Sequence, residues 1–513
     1  MRDKNQIKFP CGYEVKISQD DPVRKMIEIC ETLDYTSLLK EYVRAWRKTS
    51  PITLFQIVLL GYMTGNFSSR KIEEACKNDI RFLWLLEDEE CPDHSTIARF
   101  QNERLSPVIE DLFYQFVNKL IEMGEISYKN VFIDGTKIEA NANRYSFVWK
   151  KSVERNAKKL NEKITNILPE LSLRYGCSEN ASLGSLLDLL QTQSNMQGIE
   201  FVYGSGKRKS QIQRDIEQLS EYKERLANYE KSMALFQNRN SYSKTDNDAT
   251  FMRLKDDHMK NGQLKAAYNV QLAVESEYIV GLKLFPNPAD VNTFVPFLEE
   301  MKMNTGIAIE NVVADAGYES EENYSYLEQN NQNAYIKPND YERQKSKKYR
   351  SNIYRIDNLK YDELGDFYIC PNDKKLVHIY DSNKKNDSGY VAVKRNYRCE
   401  DCGNCAHREH CYKGVYQNRN ISVSQTFVKQ RAKSLENITS MQGVILRTNR
   451  SIQVEGAFGV IKQNYNFTRF LTRGKMKNQT VFMLLAFAFN VKKLCSRQKS
   501  GRFGISLFEK MSA

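Results

Sequence analysis

Several features that would fix the class of this chain at once are missing. The longest strongly apolar run, Val481 to Phe489, falls far short of the ~20 residues that a membrane-spanning helix needs. The opening residues, Met1 to Gln6, lead into no apolar segment, so no secretory leader is expected. No loop of the form G-x4-G-K-[ST] occurs, which removes the common ATP site. The 11 cysteines do not suggest a secreted disulfide scaffold, and those outside 370–411 are scattered. Reduced thiols in an intracellular protein are the expectation.

What is present is length and positive charge. A chain of 513 residues should hold more than one domain. Lys+Arg number 76 against 64 Asp+Glu, a formal net charge of +12. That excess favours a polyanionic partner, and nucleic acid is the first candidate; a merely soluble basic protein is the plain alternative.

Three short segments carry the chemistry. Val131-Phe132-Ile133-Asp134-Gly135-Thr136 ends an apolar run on an aspartate, and Val312-Val313-Ala314-Asp315-Ala316-Gly317-Tyr318 does the same. Val454-Glu455-Gly456-Ala457-Phe458-Gly459 sets a glutamate inside an amphipathic helical pattern. A carboxylate at the end of a buried strand is costly unless something neutralises it. Three in one site need a counter-charge, and a pair of divalent ions is the usual one. For any one of them, a cap, an ion pair or a solvated charge is the simpler reading; the three together, in this order of elements, outweigh it.

The rest of the chain organises around these segments. Residues 1–125 read as short helices: Ser50 caps one beginning at Pro51, Ser68-Ser69 starts a second, and Pro92-Asp93 a third. In the third, Ile97 and Phe100 face inward while Arg99 and Arg104 face outward, as a groove-reading helix requires; a plain helical bundle is the alternative. Residues 126–145 hold the first core strand. Residues 146–243 carry two coiled-coil-like seams, Val153 to Leu171 and Ile212 to Met233, expected as an antiparallel helical hairpin joined through 176–210. Residues 244–338 return to strands: a hairpin over 267–284, a strand at 312–314, a helix at 321–329 and a strand at 334–337. Asp290 reads as the N-cap of the helix that follows it. Residues 339–435 form a basic, cysteine-bearing insertion, and 436–513 a helical segment with Glu455 and an apolar last helix, Val481 to Val491. The whole is an α/β chain with a mixed sheet, an all-α N-terminal domain and a helical insertion.

The segment from Val131 to Ala142, Ala314 to Tyr318 and the segment from Arg450 to Lys462 resemble the DDE transposases of bacterial insertion sequences, most closely the group numbered eleven eighty-two. Lys244 to Met252, Gly262 to Lys265 with Tyr268 to Gln271, and two N-terminal segments, Ser68 to Glu73 and Pro92 to Thr96, add to it. The resemblance implies an RNase H-like core that cuts and joins double-stranded DNA at terminal inverted repeats and in a target. It makes Asp134, Asp315 and Glu455 the ligands of two Mg²⁺ (or Mn²⁺) ions. A larger related group has an arginine four residues before the glutamate and a lysine seven after. Lys462 fits the second, but Ser451 stands at the first position and Arg450 lies one residue earlier. On a regular helix Glu455, Lys462 and Arg469 share a face. Arg450, Lys462, Arg469 and Arg473, with Arg99 from the N-terminal helices, are therefore the candidate DNA contacts. Synapsis of two ends implies a homodimer, and the setting would be cytoplasmic, at the nucleoid.

Cys399-x2-Cys402-x2-Cys405-x5-Cys411, with Cys370 upstream, admits a structural zinc site, though five cysteines compete for four positions. Reduced, partly buried thiols are the equal alternative, and an iron–sulfur cluster a weaker one. Rival functions are a non-mobile nuclease with the same core, an inactive or regulatory DNA-binding protein, and an oligomerisation scaffold.

Overall fold

The computed structural model describes residues 12–40, 42, 48–178, 181–204, 206–254 and 262–508. The opening segment Met1 to Gln6 lies outside them. The chain divides into two compact units, residues 139–267 and all the rest. No helix among the described residues is long and apolar enough to cross a membrane.

The larger unit is built on a mixed sheet. Five of its six strands are β1 (Asn130–Glu139), β2 (Leu264–Glu275), β3 (Tyr278–Phe285), β4 (Asn311–Ala314) and β5 (Asn333–Ile336), in the order β3-β2-β1-β4-β5. β2 and β3 pair antiparallel through a two-residue turn, with Ser276 and Glu277 both at positive φ. That is the turn geometry whose twist suits a hairpin. β4 runs parallel to β1, pairing Val131 with Val312 and Phe132 with Val313, and β5 runs parallel to β4. Parallel neighbours need crossovers, and the helices Phe294–Thr305 and Glu321–Gln329 lie in the intervening segments. The apolar runs that mark these strands are buried throughout.

β3 is covered by the last helix, Lys475–Lys499, whose residues from Val481 to Val491 are all buried. Asn490 donates to and accepts from the backbone of Ile279, and the Gln479 carboxamide accepts from Leu284 N–H. These amides satisfy strand groups that would otherwise stand unpaired. On another side of this helix, Phe487 stacks on Phe116 at 4.8 Å and meets Phe55 edge-on at 5.8 Å. The helices Pro51–Met63 and Ile109–Glu122 are thereby packed on the same apolar rod. Near its C-terminal end, buried Arg497 binds buried Glu125 at 2.7 Å, and Tyr278 donates to the same carboxylate.

The N-terminal helices start where the sequence places them. Ser50, Ser68 and Asp93 each accept a backbone N–H at the head of the helices Pro51–Met63, Ser69–Asn78 and His94–Arg99. Residues 339–435 hold more order than their composition suggests. Five antiparallel strands, from Lys360–Asp362 to Asn420–Val423, form a meander with its own core of Tyr368, Leu376, Tyr397, Ile421 and Val423.

Among the described residues, the smaller unit has three helices where two are expected. Lys150–Tyr175 and Gln211–Phe236 match the two seams, but Leu183–Met196 occupies the stretch read as a connection. Leu186, Leu187 and Leu190 of that helix close a core with Leu171, Ile212, Ile216 and Leu219. The second seam frays outward, and Met233 is exposed. Each outer helix packs on the middle one as well as on the other, so this is a three-helix arrangement rather than a coiled-coil hairpin.

Candidate active site

β1 does not stop at Asp134. It continues to Glu139, so the aspartate sits within the strand rather than at its end, and it is almost fully buried. Asp315 follows the last residue of β4, the parallel neighbour of β1. Its Oδ1 accepts from Gly317 N–H at 2.8 Å, which shapes the single turn Ala316–Tyr318. The parallel pairing carries both aspartates toward one end of the sheet.

Glu455 arrives on a helix that begins at Met441 and continues without a break to Asn464. Two stretches of it are π-wound, Ser451–Glu455 and Val460–Asn464. A π turn bonds i to i+5, so it absorbs one extra residue. Arg450, one residue too early for an α-helical partner of Glu455, is thereby brought one turn away from it. Its guanidinium lies 3.5 Å from Glu455 Oε1 and 3.4 Å from Asp134 Oδ2. The arginine is mostly buried, and its Nη1 has no hydrogen bond despite its burial. The helix is fixed to the sheet by buried Gln453, which accepts from Glu277 N–H at 3.0 Å and donates to Asn449 at 3.2 Å.

Asp290 is not a helix cap. The helix after it starts at Phe294, behind Thr293, and only the main-chain carbonyl of Asp290 serves that start, accepting from Thr293. Its side chain turns to the sheet, where Oδ1 accepts from Asn269 Nδ2 at 2.7 Å and Gln271 Nε2 at 2.9 Å. Tyr318, fully buried, donates its hydroxyl to Gln271. Burial, then the charges of Asp290, Asp134 and Asp315, push that phenol well above its usual range, while Arg450 opposes them. A fourth carboxylate thus belongs to the surroundings of the two aspartates. Its apolar-periodic neighbours Val291, Phe294, Phe297 and Leu298 gave the capping signal, and nothing local distinguished a side chain turned inward.

Two glycines show how close these groups lie. A Cβ on Gly135 would stand 2.3 Å from Gln271 Nε2 and 2.6 Å from Asp290 Oδ1. One on Gly317 would stand 3.0 Å from Asp315 Oδ1 and 3.6 Å from Asp290 Oδ2.

The oxygen-only donor set suits a hard divalent cation. Among the described residues, no three His, Cys, Asp or Glu side chains gather closely enough to hold an ion as they stand. At the acidic site the reason is visible: an arginine cation lies between Asp134 and Glu455, and the Glu455 side chain is 57% exposed. The carboxylates already draw a positive charge to the place where a metal would neutralise them.

The other candidate DNA contacts divide. Lys462 lies on the second π-wound stretch of the Glu455 helix. Arg469 does not continue its face, because the helix ends at Asn464 and Asn466 adopts positive φ. Arg469 and Arg473 occupy the irregular segment before Lys475. Arg99 is exposed on the third N-terminal helix. A cleft of about 710 Å³ beside the end of the Glu455 helix is lined by Arg81, Tyr465, Lys492 and Lys493, and includes none of Asp134, Asp290, Asp315 and Glu455.

Cys370, Cys399, Cys402, Cys405 and Cys411 line one small cavity of the meander. Backbone N–H groups of Asn372 and Arg419 point at Cys370 and Cys402 sulfurs at 3.4 Å. Burial, with Cys402 beside it, pushes the Cys399 thiol up to about 12. Since no three of these side chains gather in ligating positions, a zinc ion would require them to move.

Two segments match family models of transposase domains. Residues 12–103 match the transposase domain DUF772, and residues 369–495 match the transposase DDE domain. The second covers Glu455 and the cysteine cluster but neither aspartate. No curated protein matches the chain. No solved structure matches it. The two matches support a DDE transposase.

Proposed function

We propose that this chain is the transposase of a bacterial insertion sequence, cutting and joining DNA at an RNase H-like core through Asp134, Asp315 and Glu455. The observation that carries this reading is the convergence on Arg450. Asp134 in β1 and Glu455 on a distant helix share one guanidinium, while Asp315 follows the strand paired with β1. Two antiparallel strands beside a parallel set, with a helix bringing the glutamate to the sheet, agree with an RNase H-like core.

In this reading Asp134, Asp315 and Glu455 would hold two Mg²⁺ or Mn²⁺ ions. The chemistry such ions would supply there is activation of a water or 3′-hydroxyl and stabilisation of the leaving oxygen of an in-line displacement at phosphorus. Asp134 within β1 and Asp315 directly after β4 are carried on rigid backbone, which limits their movement. With the carboxylates neutralised by ions, Arg450 would be free to pair with DNA phosphate beside Lys462, where charge-assisted bonds are strong. Arg469 and Arg473 extend this contact along the backbone. The N-terminal helices, with Arg99 exposed, read the terminal inverted repeat in a groove. Two copies of the chain pair the two ends, and the setting is the nucleoid.

The test compares Asp134→Asn, Asp315→Asn and Glu455→Gln with wild type on a duplex carrying the element's end. Each is expected to abolish cleavage while binding to the end persists. Cleavage by any of the three would refute the assignment.

A further inference from the structure

We infer that Asp290 is a positioning residue of the acidic site, setting the Asp315 turn against β1 and adding a fourth negative charge beside the metal ligands. This rests on the reading of Asp134, Asp315 and Glu455 given above and assigns a residue outside that set.

The argument starts from the two oxygens of one carboxylate. Oδ1 is held by two amides of β2, Asn269 Nδ2 and Gln271 Nε2, whose residues are completely buried. Gln271 Nε2 also donates to Asn269 Oδ1 at 3.0 Å, so the two amides are locked together. This pins Asp290 against β1 immediately beside Asp134, in the space that the missing side chain of Gly135 leaves open. Oδ2 points the other way, toward the turn that carries Asp315, and among the described residues no donor meets it. The far end of the network closes on the same turn: Tyr318, three residues after Asp315, donates to Gln271 Oε1.

A hydrogen-bonded path runs from Asp290, which lies against Gly135 beside Asp134, through Gln271 to Tyr318, which ends the turn begun at Asp315. Asp290 is only half-buried, so the Oδ2 that no donor meets is left open on the side of the Asp315 turn. Here one oxygen is committed to the fold, and the other stands toward the acidic site. Supporting groups of this kind orient the ligands of a metal, and their loss typically lowers metal affinity by about 10–100-fold.

Asp290→Asn separates charge from shape. Its remaining carbonyl still accepts from Asn269 and Gln271, so the fold keeps its bonds while the negative charge is removed. Mn²⁺ binding to the full-length protein, read by the electron paramagnetic resonance signal of free ion, is the readout independent of cleavage. Asp290→Asn is expected to weaken Mn²⁺ binding about tenfold and to raise the Mn²⁺ concentration needed for half-maximal cleavage in parallel. Affinity for the DNA end, measured without metal, should be unchanged. Tyr318→Phe removes only the hydroxyl bond to Gln271 and should weaken Mn²⁺ binding in the same direction. Wild-type Mn²⁺ binding in Asp290→Asn would overturn the inference; if that variant does not fold, wild-type binding in Tyr318→Phe would do so. Asp134→Asn runs beside them. If it too binds Mn²⁺ and cleaves as wild type, the reading of the acidic site fails; if it alone loses both, only the role of Asp290 fails.

Discussion

Arg450 and Glu455 face each other across a π-wound turn, and the same guanidinium reaches Asp134 on the central strand. Each contact is longer than a hydrogen bond, and Nη1 has no other partner. The arginine is thus held by charge rather than by a fitted bond, which suits a cation that must yield its place.

Replacing it should separate its two roles. In Arg450→Ala the free protein should bind Mn²⁺ more tightly, by up to about tenfold, because no resident cation competes. Affinity for end-bearing DNA should fall at the same time, and the salt dependence of binding should decrease by about one phosphate contact. Titrations of Mn²⁺ and of labelled duplex across salt concentrations check both. Weaker Mn²⁺ binding would mean that the arginine supports the site instead of occupying it.

The glycine after Asp134 has a stringent prediction. In Gly135→Ala the new methyl meets Gln271 and Asp290 well inside contact distance, and both belong to a locked network. Destabilisation of about 1–3 kcal/mol is expected, as for overpacking elsewhere, together with loss of cleavage. Urea unfolding with a cleavage assay tests it; an active variant of full stability would show that the network can shift.

Arg497 tests the packing at the end of the last helix. Its partner Glu125 is buried, so Arg497→Met leaves an uncompensated charge in the interior. A loss of about 3–5 kcal/mol is expected. Arg497→Met combined with Glu125→Gln should recover part of it. Equal losses in the single and double variants would mean that the pair contributes nothing as a pair.

The N-terminal helices carry an acid-sensitive tie. Glu73 accepts from Lys77, from the His94 ring and from His94 N–H, and these bonds hold its carboxyl at about 2 against an ordinary 4.5. A depressed carboxyl stabilises the fold above its unfolded value and loses that contribution as pH falls toward its folded one. The thermal midpoint of wild type should therefore drop more steeply between pH 4.5 and 2 than that of Glu73→Gln. Parallel curves would remove Glu73 from the acid response.

Much of this was legible in the sequence because the signals were local. Ser50, Ser68 and Asp93 cap helices by bonds reaching two or three residues, and the strand of Val312 and Val313 is a short buried run. What escaped depended on distance or on backbone register. The offset between Arg450 and Ser451 is a mismatch only on a regular helix; the π turn removes it. Regular helical spacing likewise carries Arg469 along a face that ends at Asn464. Leu183, Leu186, Leu187 and Leu190 stand at helical spacing behind Ser182, a local signal that the two longer seams on either side mask. The inward turn of Asp290 is set by Asn269 and Gln271 across the sheet, which no local pattern encodes.

The most direct test of the central claim is a labelled duplex carrying the element's end, incubated with Mg²⁺ and wild type beside Asp315→Asn. A nick at the element boundary followed by joined products, both absent with the variant at equal end binding, is the predicted result. Binding without cleavage by wild type, or equal cleavage by the two proteins, would contradict it.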